Sequence, residues 1–175
     1  SLCERLANAG SDVMLDIASP LEMALAYAEH GWSVFPLHTV IEGVCDCRRA
    51  CGRNAGKHPR NTNGHGFKEA TTEGAKVARW WDMWPQANIG IRTGEASGLT
   101  VVDIDPYNGG METLEASGVF LPKTAQVLTQ RSGFHLYYAY RGKVKGVMGK
   151  GIDIKSDGGY VVAPPSVGTH GTYLW

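Results

Sequence analysis

Long apolar runs are missing from this sequence. No stretch approaches the roughly 20 residues a membrane-spanning helix needs, and no secretory signal pattern is present. Net charge is missing too. The 17 Lys and Arg offset the 17 Asp and Glu, so only the distribution of charge can speak about partners. Cysteine is scarce: four in 175 residues, three of them within seven positions. That clustering excludes a disulfide framework and predicts metal binding in a reducing, cytoplasmic setting. What remains, 43% hydrophobic and 19% charged residues, describes a globular chain of one domain or two small modules. The chain starts at Ser1 and stops at Trp175 in what reads as mid-strand, so a piece of a longer protein is expected.

Basic residues gather twice. Arg48, Arg49, Arg53, Lys57, Arg60 and Lys68 face only Asp46; Arg141, Lys143, Lys145, Lys150 and Lys155 face only Asp153. Such asymmetry suits a nucleic-acid groove beside a metal site, and equally two solvated loops.

Leu99 to Pro106 is the stretch with the clearest chemistry. It begins as a β-branched strand and ends in Asp103 and Asp105. Residues i and i+2 of a strand share a face, about 7 Å apart. Both carboxylates therefore face one side, Val102 and Ile104 the other, and Pro106 ends the strand. Paired acids at a strand end can serve two divalent cations roughly 4 Å apart. The alternative is an Asp turn through Asp105-Pro106-Tyr107-Asn108-Gly109.

Upstream, residues 1–17 show a weak helical pattern broken by Gly10, read as an N-terminal arm reaching residue 18. Ser19-Pro20 predicts a helix start, and Gly31 its stop. Trp32 to Leu37 reads as a strand in which Pro36 marks an edge or an end. Cys45, Cys47, Cys51 and His58 then form a Cys3His set within fourteen residues, on a polar loop with no core of its own. Four such ligands close a structural zinc site, and zinc would supply the loop's folding energy. His65 is an alternative fourth ligand, and Cys3 is too distant to join. Gly64 to Thr72 reads as loop. Ala75 to Trp84 reads as a helix whose Val77, Trp80, Trp81 and Trp84 face is core rather than a base-stacking surface.

Downstream, Asn88 to Arg92 reads as a strand and Gly110 to Glu115 as a helix closed near Gly118. Gln126–Gln130 and Phe134–Tyr140 read as a hairpin turning on Arg131-Ser132-Gly133. Its second strand puts His135, Tyr137 and Ala139 on one face. Phe134, Leu136, Tyr138 and Tyr140 take the other, which is expected to be the core face. His135 then points away from that core, where an imidazole can grip a phosphate oxygen. Gly151 to Lys155 repeats the alternation, with Ile152 and Ile154 inward and Asp153 and Lys155 opposite. Asp157-Gly158-Gly159 is expected to be a hairpin turn and Tyr160 to Ala163 the returning strand. Thr172 to Trp175 begins one more strand.

The ordered set is an Asp-x-Asp strand end, Ser132-Gly133-Phe134-His135 at a strand start, and Asp153 before a Gly-Gly turn. It resembles the archaeo-eukaryotic primase superfamily, most closely the bifunctional primase/polymerase (Prim-Pol) domain of phage and plasmid replication proteins. The resemblance runs from about Ala24 to Trp175. Trp32 to Leu37, Gly56-Lys57-His58-Pro59, Ala87 to Ile91 and Gly158 to Ser166 support it. It implies an α/β (α+β), two-module fold with an RRM-like catalytic sheet and a zinc-binding insertion over residues 43–68. The implied activity is template-directed synthesis and extension of primers from nucleoside triphosphates. By the family pattern, Asp103, Asp105 and Asp153 would hold two Mg2+ or Mn2+ ions. His135, with Ser132 beside it, would contact the triphosphate, and Cys45, Cys47, Cys51 and His58 would hold one zinc. Lys155 joins as a phosphate contact because it shares a face with Asp153, and Arg131 is a further candidate. The implied partners are single-stranded DNA, taken by the two basic runs, and a helicase module in the full-length chain. Two other classes use the same residues: a metal-dependent nuclease or phosphodiesterase, and a non-catalytic zinc module binding single-stranded DNA.

Overall fold

The computed structural model describes residues 18–60, 64–144 and 146–175. The expected N-terminal arm (except Ala18), Cys3 and Lys145 lie outside these residues. The described chain is a mixed α/β structure with three α-helices and several sheets.

Helix α1 spans Pro20–Glu29. It starts with a capping box: Ser19 Oγ accepts from Glu22 N, and the Glu22 carboxylate accepts from Ser19 N at 2.7 Å. Strand β1 is Val34–Leu37, and the short strands β2 (Val40–Ile41) and β3 (Val44–Cys45) form the hairpin entering the cysteine loop. Helix α2 is Gly74–Met83, with Val77, Trp80 and Trp81 buried, as its aromatic stripe predicted. It packs on α1 and β1. Strand β4 is Asn88–Arg92, β5 Leu99–Ile104, and helix α3 Gly110–Ser117, stopped by Gly118. Strands β6 (Ala125–Leu128), β7 (Phe134–Ala139), β8 (Val147–Gly149), β9 (Ile152–Lys155) and β10 (Tyr160–Ala163) follow. The last pair is β11 (Val167–Gly168) with β12 (Gly171–Thr172).

Two antiparallel sheets carry the molecule. One has three strands in the order β1-β4-β10, which leaves Pro36 on an edge strand where its missing N–H costs least. The other has five, in the order β6-β7-β5-β9-β8. The main core runs from α1 and α2 through the three-stranded sheet to Leu99, Val101, Val127 and Tyr137 of the five-stranded one. A smaller cluster of Val102, Ile104 and Ile152 covers the opposite face of the five-stranded sheet, packed with Leu114, Phe134, Leu136 and Tyr138.

Three sequence expectations need correction. The strand alternation in β7 is right, but the principal core lies on the Tyr137 face, not the Phe134 face. Both faces of the sheet are covered, and a period of two cannot tell which cover is thicker. His135 is accordingly buried. Asp157-Gly158-Gly159 is no hairpin: β9 pairs with β5 and β10 with β4, so this turn carries the chain from one sheet to the other. Residues 64–72 are not all loop, because Gly66–Glu69 forms a turn of 3-10 helix.

Candidate active site and metal centre

Strand register brings the predicted residues into one row. Asp103 of β5 stands opposite His135 of β7 on one side and Asp153 of β9 on the other. Directly opposed residues of antiparallel strands share a face, so all three side chains emerge on the same side of the sheet. One row along, Tyr137, Val101 and Lys155 are opposed in the same way, which puts Lys155 on that face as well. His135 Nε2 lies 3.7 Å from Asp103 Oδ1, and Lys155 Nζ donates to Asp153 Oδ2 at 3.1 Å.

Asp105 lies just past the end of β5 and does two things. Its carboxylate caps the turn at Pro106–Asn108, accepting from Asn108 N and Nδ2, which is the turn reading of the sequence. It also lines the same cavity as Asp103 and Asp153. Its backbone is clamped on both sides: Asp105 N donates to Gly151 O at 2.8 Å and Gly110 N donates to Asp105 O at 2.9 Å. Gly151 makes this approach possible. Its φ is +72°, and a Cβ there would sit 2.5 Å from Gly110 N.

The cavity over the acids has a volume of about 460 Å3, and a second of about 340 Å3 adjoins it. Lys57, Asp103, His135 and Tyr173 line both. Arg131 and Lys150 line the first, and Lys155 the second. Ser132 lines neither; it is exposed in the hairpin turn at φ +58°. The Arg131 guanidinium sits 5.2 Å from the ring centre of exposed Tyr107. Among the described residues of the second basic run, Arg141 and Lys143 are exposed, and only Lys150 and Lys155 reach the cavities.

Burial sets the electrostatics. It pushes the Asp103 carboxyl up to about 6; Lys155 opposes the shift, while Asp153 and Asp105 add to it. Burial drives His135 down to about 3, helped by the nearby Lys155 and Lys57 charges. His135 is thus a neutral imidazole at pH 7. Its Nδ1 is buried with no hydrogen-bond partner of ordinary geometry. A half-buried carboxylate sharing a cavity with two more offers hard oxygen donors and an uncompensated negative charge, a donor chemistry that fits Mg2+ or Mn2+.

The second centre is local. Cys45, Cys47, Cys51 and His58 place their donor atoms within 4.8 Å of one another. His58 Nε2 lies 3.4 Å from both Cys45 Sγ and Cys51 Sγ. Four ligands at 2.3 Å around zinc stand roughly 3.7 Å apart, so the group has the size of a zinc tetrahedron. The crowding also resists several thiolates at once without a cation: contact with Cys47 raises the Cys51 thiol. His65 stays outside the group. The chain leaves the loop at Pro59, which bridges Leu37 of β1, and Arg60 N donates to Pro36 O. Asp46 braces the loop by pairing with Arg60 and with His38 Nδ1.

Lys57 and Arg53 are cavity residues to which the sequence reading gave no site role: Arg53 stood only in a basic run, and Lys57 in that run and in the Gly56-Lys57-His58-Pro59 stretch.

No curated protein matches this chain. The family model for Prim-Pol, the N-terminal domain of bifunctional DNA primase/polymerases, matches residues 24–175. With nearly the whole described chain inside that match, the protein belongs to the Prim-Pol family.

Proposed function

We propose that this chain catalyses DNA-template-directed nucleotidyl transfer, making and extending primers from nucleoside triphosphates. Family membership implies primase/polymerase activity and binding of DNA and nucleotides. The observation that carries the finer reading is the single row His135–Asp103–Asp153 opening into one cavity with Asp105. In this reading Asp103, Asp105 and Asp153 hold two divalent cations, Mg2+ or Mn2+. The chemistry such ions supply when bound is Lewis-acid activation of a 3′-hydroxyl and charge neutralisation at the leaving pyrophosphate. The hydroxyl gives up its proton to solvent, and its oxygen bonds to the α-phosphorus as the bond from that phosphorus to the α–β bridging oxygen breaks and pyrophosphate leaves. Asp103 enters this chemistry ionised once a cation offsets its burial. His135, neutral, donates an N–H to a phosphate oxygen instead of bringing charge. Lys155 adds the positive charge. Arg131 lines the larger cavity, and Ser132 takes part only if the turn at Arg131-Ser132-Gly133 closes on the nucleotide.

The rest of the proposal concerns scaffold and setting. Residues 43–68 serve as a zinc-binding insertion in a single catalytic domain. The separate three- and five-stranded sheets support a two-module primase-polymerase architecture. Single-stranded DNA is the template, a replication protein with a helicase module the wider context, and the cytoplasm the setting. Among the described residues no helix is long and apolar enough to cross a membrane.

The test is incorporation of labelled nucleotide on single-stranded DNA with Mg2+ or Mn2+. Incorporation by the wild type, abolished by Asp103→Ala with Asp105→Ala, supports the assignment. Full incorporation by the double variant sinks it. DNA degradation without nucleotides would make the protein a nuclease instead, and metal-independent DNA binding with no turnover a zinc module.

A further inference from the structure

The cysteine loop is basic, and a template backbone is the obvious partner for such a loop. Its basic side chains, however, do not all face the same way. Arg48 and Arg49 are exposed, and Arg60 is spent on Asp46. Lys57 alone turns half-buried into both cavities, alongside Asp103 and His135. It makes no ion pair with a carboxylate among the described residues. Asp103 and Asp105 attract this half-buried cation without forming an ion pair with it, so its donor hydrogens stay open to an anion entering the cavity.

The backbone that presents Lys57 is anchored at three successive carbonyls. Asn88 Nδ2, itself buried, donates to Gly56 O at 2.9 Å; the Tyr160 hydroxyl donates to Lys57 O at 2.9 Å; His38 N donates to His58 O at 2.9 Å. Gly56 sits at φ +71°, where a Cβ would lie 2.9 Å from Val40 and 3.1 Å from Val167 O. The next side chain, His58, belongs to the Cys3His group. The smaller cavity is lined by Lys57, His135 and Lys155, with Asp103 as its one acidic lining residue. Its donors are those of a phosphate site.

We infer that Lys57 binds the triphosphate of the incoming nucleotide in the cavity it shares with His135 and Lys155, and that the Cys3His centre is a positioning device that holds it there. The inference rests on the nucleotidyl-transfer reading and names a further residue for it. Lys57 is the contact and the metal centre acts through it. Loss of zinc therefore weakens nucleotide binding before it weakens hold on the template.

The experiment is equilibrium binding by calorimetry, with Ca2+ replacing the catalytic cation. The probes are a deoxynucleoside triphosphate, inorganic tripolyphosphate and a single-stranded oligonucleotide. Wild type, Lys57→Ala and Lys57→Arg are compared in the zinc-loaded state, each checked for an unchanged melting curve. Lys57→Ala is expected to weaken both triphosphate probes about tenfold to a hundredfold, the range of a charge-assisted hydrogen bond. Lys57→Arg recovers part of the loss, and oligonucleotide affinity stays within about twofold, as expected for a residue off the template path. Stripping zinc from the wild type weakens tripolyphosphate by a similar factor but adds little in Lys57→Ala, because the two changes remove one contact. Triphosphate binding that survives Lys57→Ala overturns this inference alone, and so does a loss confined to the oligonucleotide, which makes Lys57 a template contact. Zinc loss that weakens Lys57→Ala as much as wild type overturns the positioning role. A wild-type protein that binds no triphosphate overturns the nucleotidyl-transfer reading, and this inference with it.

Discussion

Asp103, His135 and Asp153 come together across some fifty positions of chain, whereas Cys45 to His58 spans fourteen. The first group owes its geometry entirely to strand pairing. β7 and β9 each bond to β5, and the two covered faces of the sheet hold the register. The second group owes little to any core: its small cluster is Val40, Cys45 and Ala55, with Cys47 and Cys51 packed against it. One site is held by strand pairing, and the other by a few hydrogen bonds to its backbone and by whatever joins its four ligand side chains. The difference teaches where each should fail. Replacing the buried Asp103 carboxylate is expected to leave the structure intact, since burial penalises its charge, and replacing the thiols is expected to loosen their loop.

The sharpest break is Asp103→Asn. Losing a cation-binding carboxylate removes about 4 kcal/mol of transition-state stabilisation, so incorporation should fall roughly a thousandfold. Melting temperature should hold or rise by a few degrees. The pH dependence gives the sign independently. Burial raises Asp103 in the folded state to about 6, above its unfolded value, so the folded protein binds the extra proton in between. That contribution is fully present below about pH 4 and lost as pH rises through about 6, and the metal-free Asp103→Asn protein should lack this segment of the stability profile. A large loss of melting temperature in Asp103→Asn would erase the contrast between the two sites.

Next comes the metal loop. Purified protein should carry about one equivalent of zinc by elemental analysis, and less than half would count against the site. Cys47→Ser with Cys51→Ser should abolish that zinc, lower the melting temperature by more than ~5 °C, and raise amide exchange across residues 45–60. Exchange in β5 and β7 should stay as it was, because neither strand leans on the loop for its pairing. If β5 exchange rises equally, the two regions are one cooperative unit.

The smallest effect is a control remote from both. Ser19→Ala removes the capping box of α1 and should cost about 1 kcal/mol while leaving zinc content and incorporation unchanged. A change in either would mean that α1 reaches the sites through the core it shares with β4.

The strand end at Asp103 and Asp105, the α1 cap, the α2 aromatic face and the Cys3His spacing were all legible in the sequence, because each is written within one turn, one strand or one loop. The burial of His135 was not. Alternation told that His135 and Tyr137 share a face, but not that the three-stranded sheet and two helices lie beyond it. The turn at Asp157-Gly158-Gly159 misled for a similar reason: a turn motif reports local backbone geometry, and says nothing of which sheet the next strand enters. Lys57 was missed as a cavity residue because a lysine in a basic loop looks the same whether it points to solvent or into a cavity.

By itself, then, the sequence determined the chemical inventory: which carboxylates lie two apart on a strand, which thiols and imidazole lie within reach on one loop, and where helices start. These depend on spacings of a few residues, where chain geometry leaves few choices. Only the tertiary structure decided that three strands align Asp103, His135 and Asp153 in one row, that the main core lies on their face, and that Lys57 lines the same cavities. Those outcomes depend on long-range pairing and on which apolar face finds the larger partner, and both are settled by the whole chain packing at once.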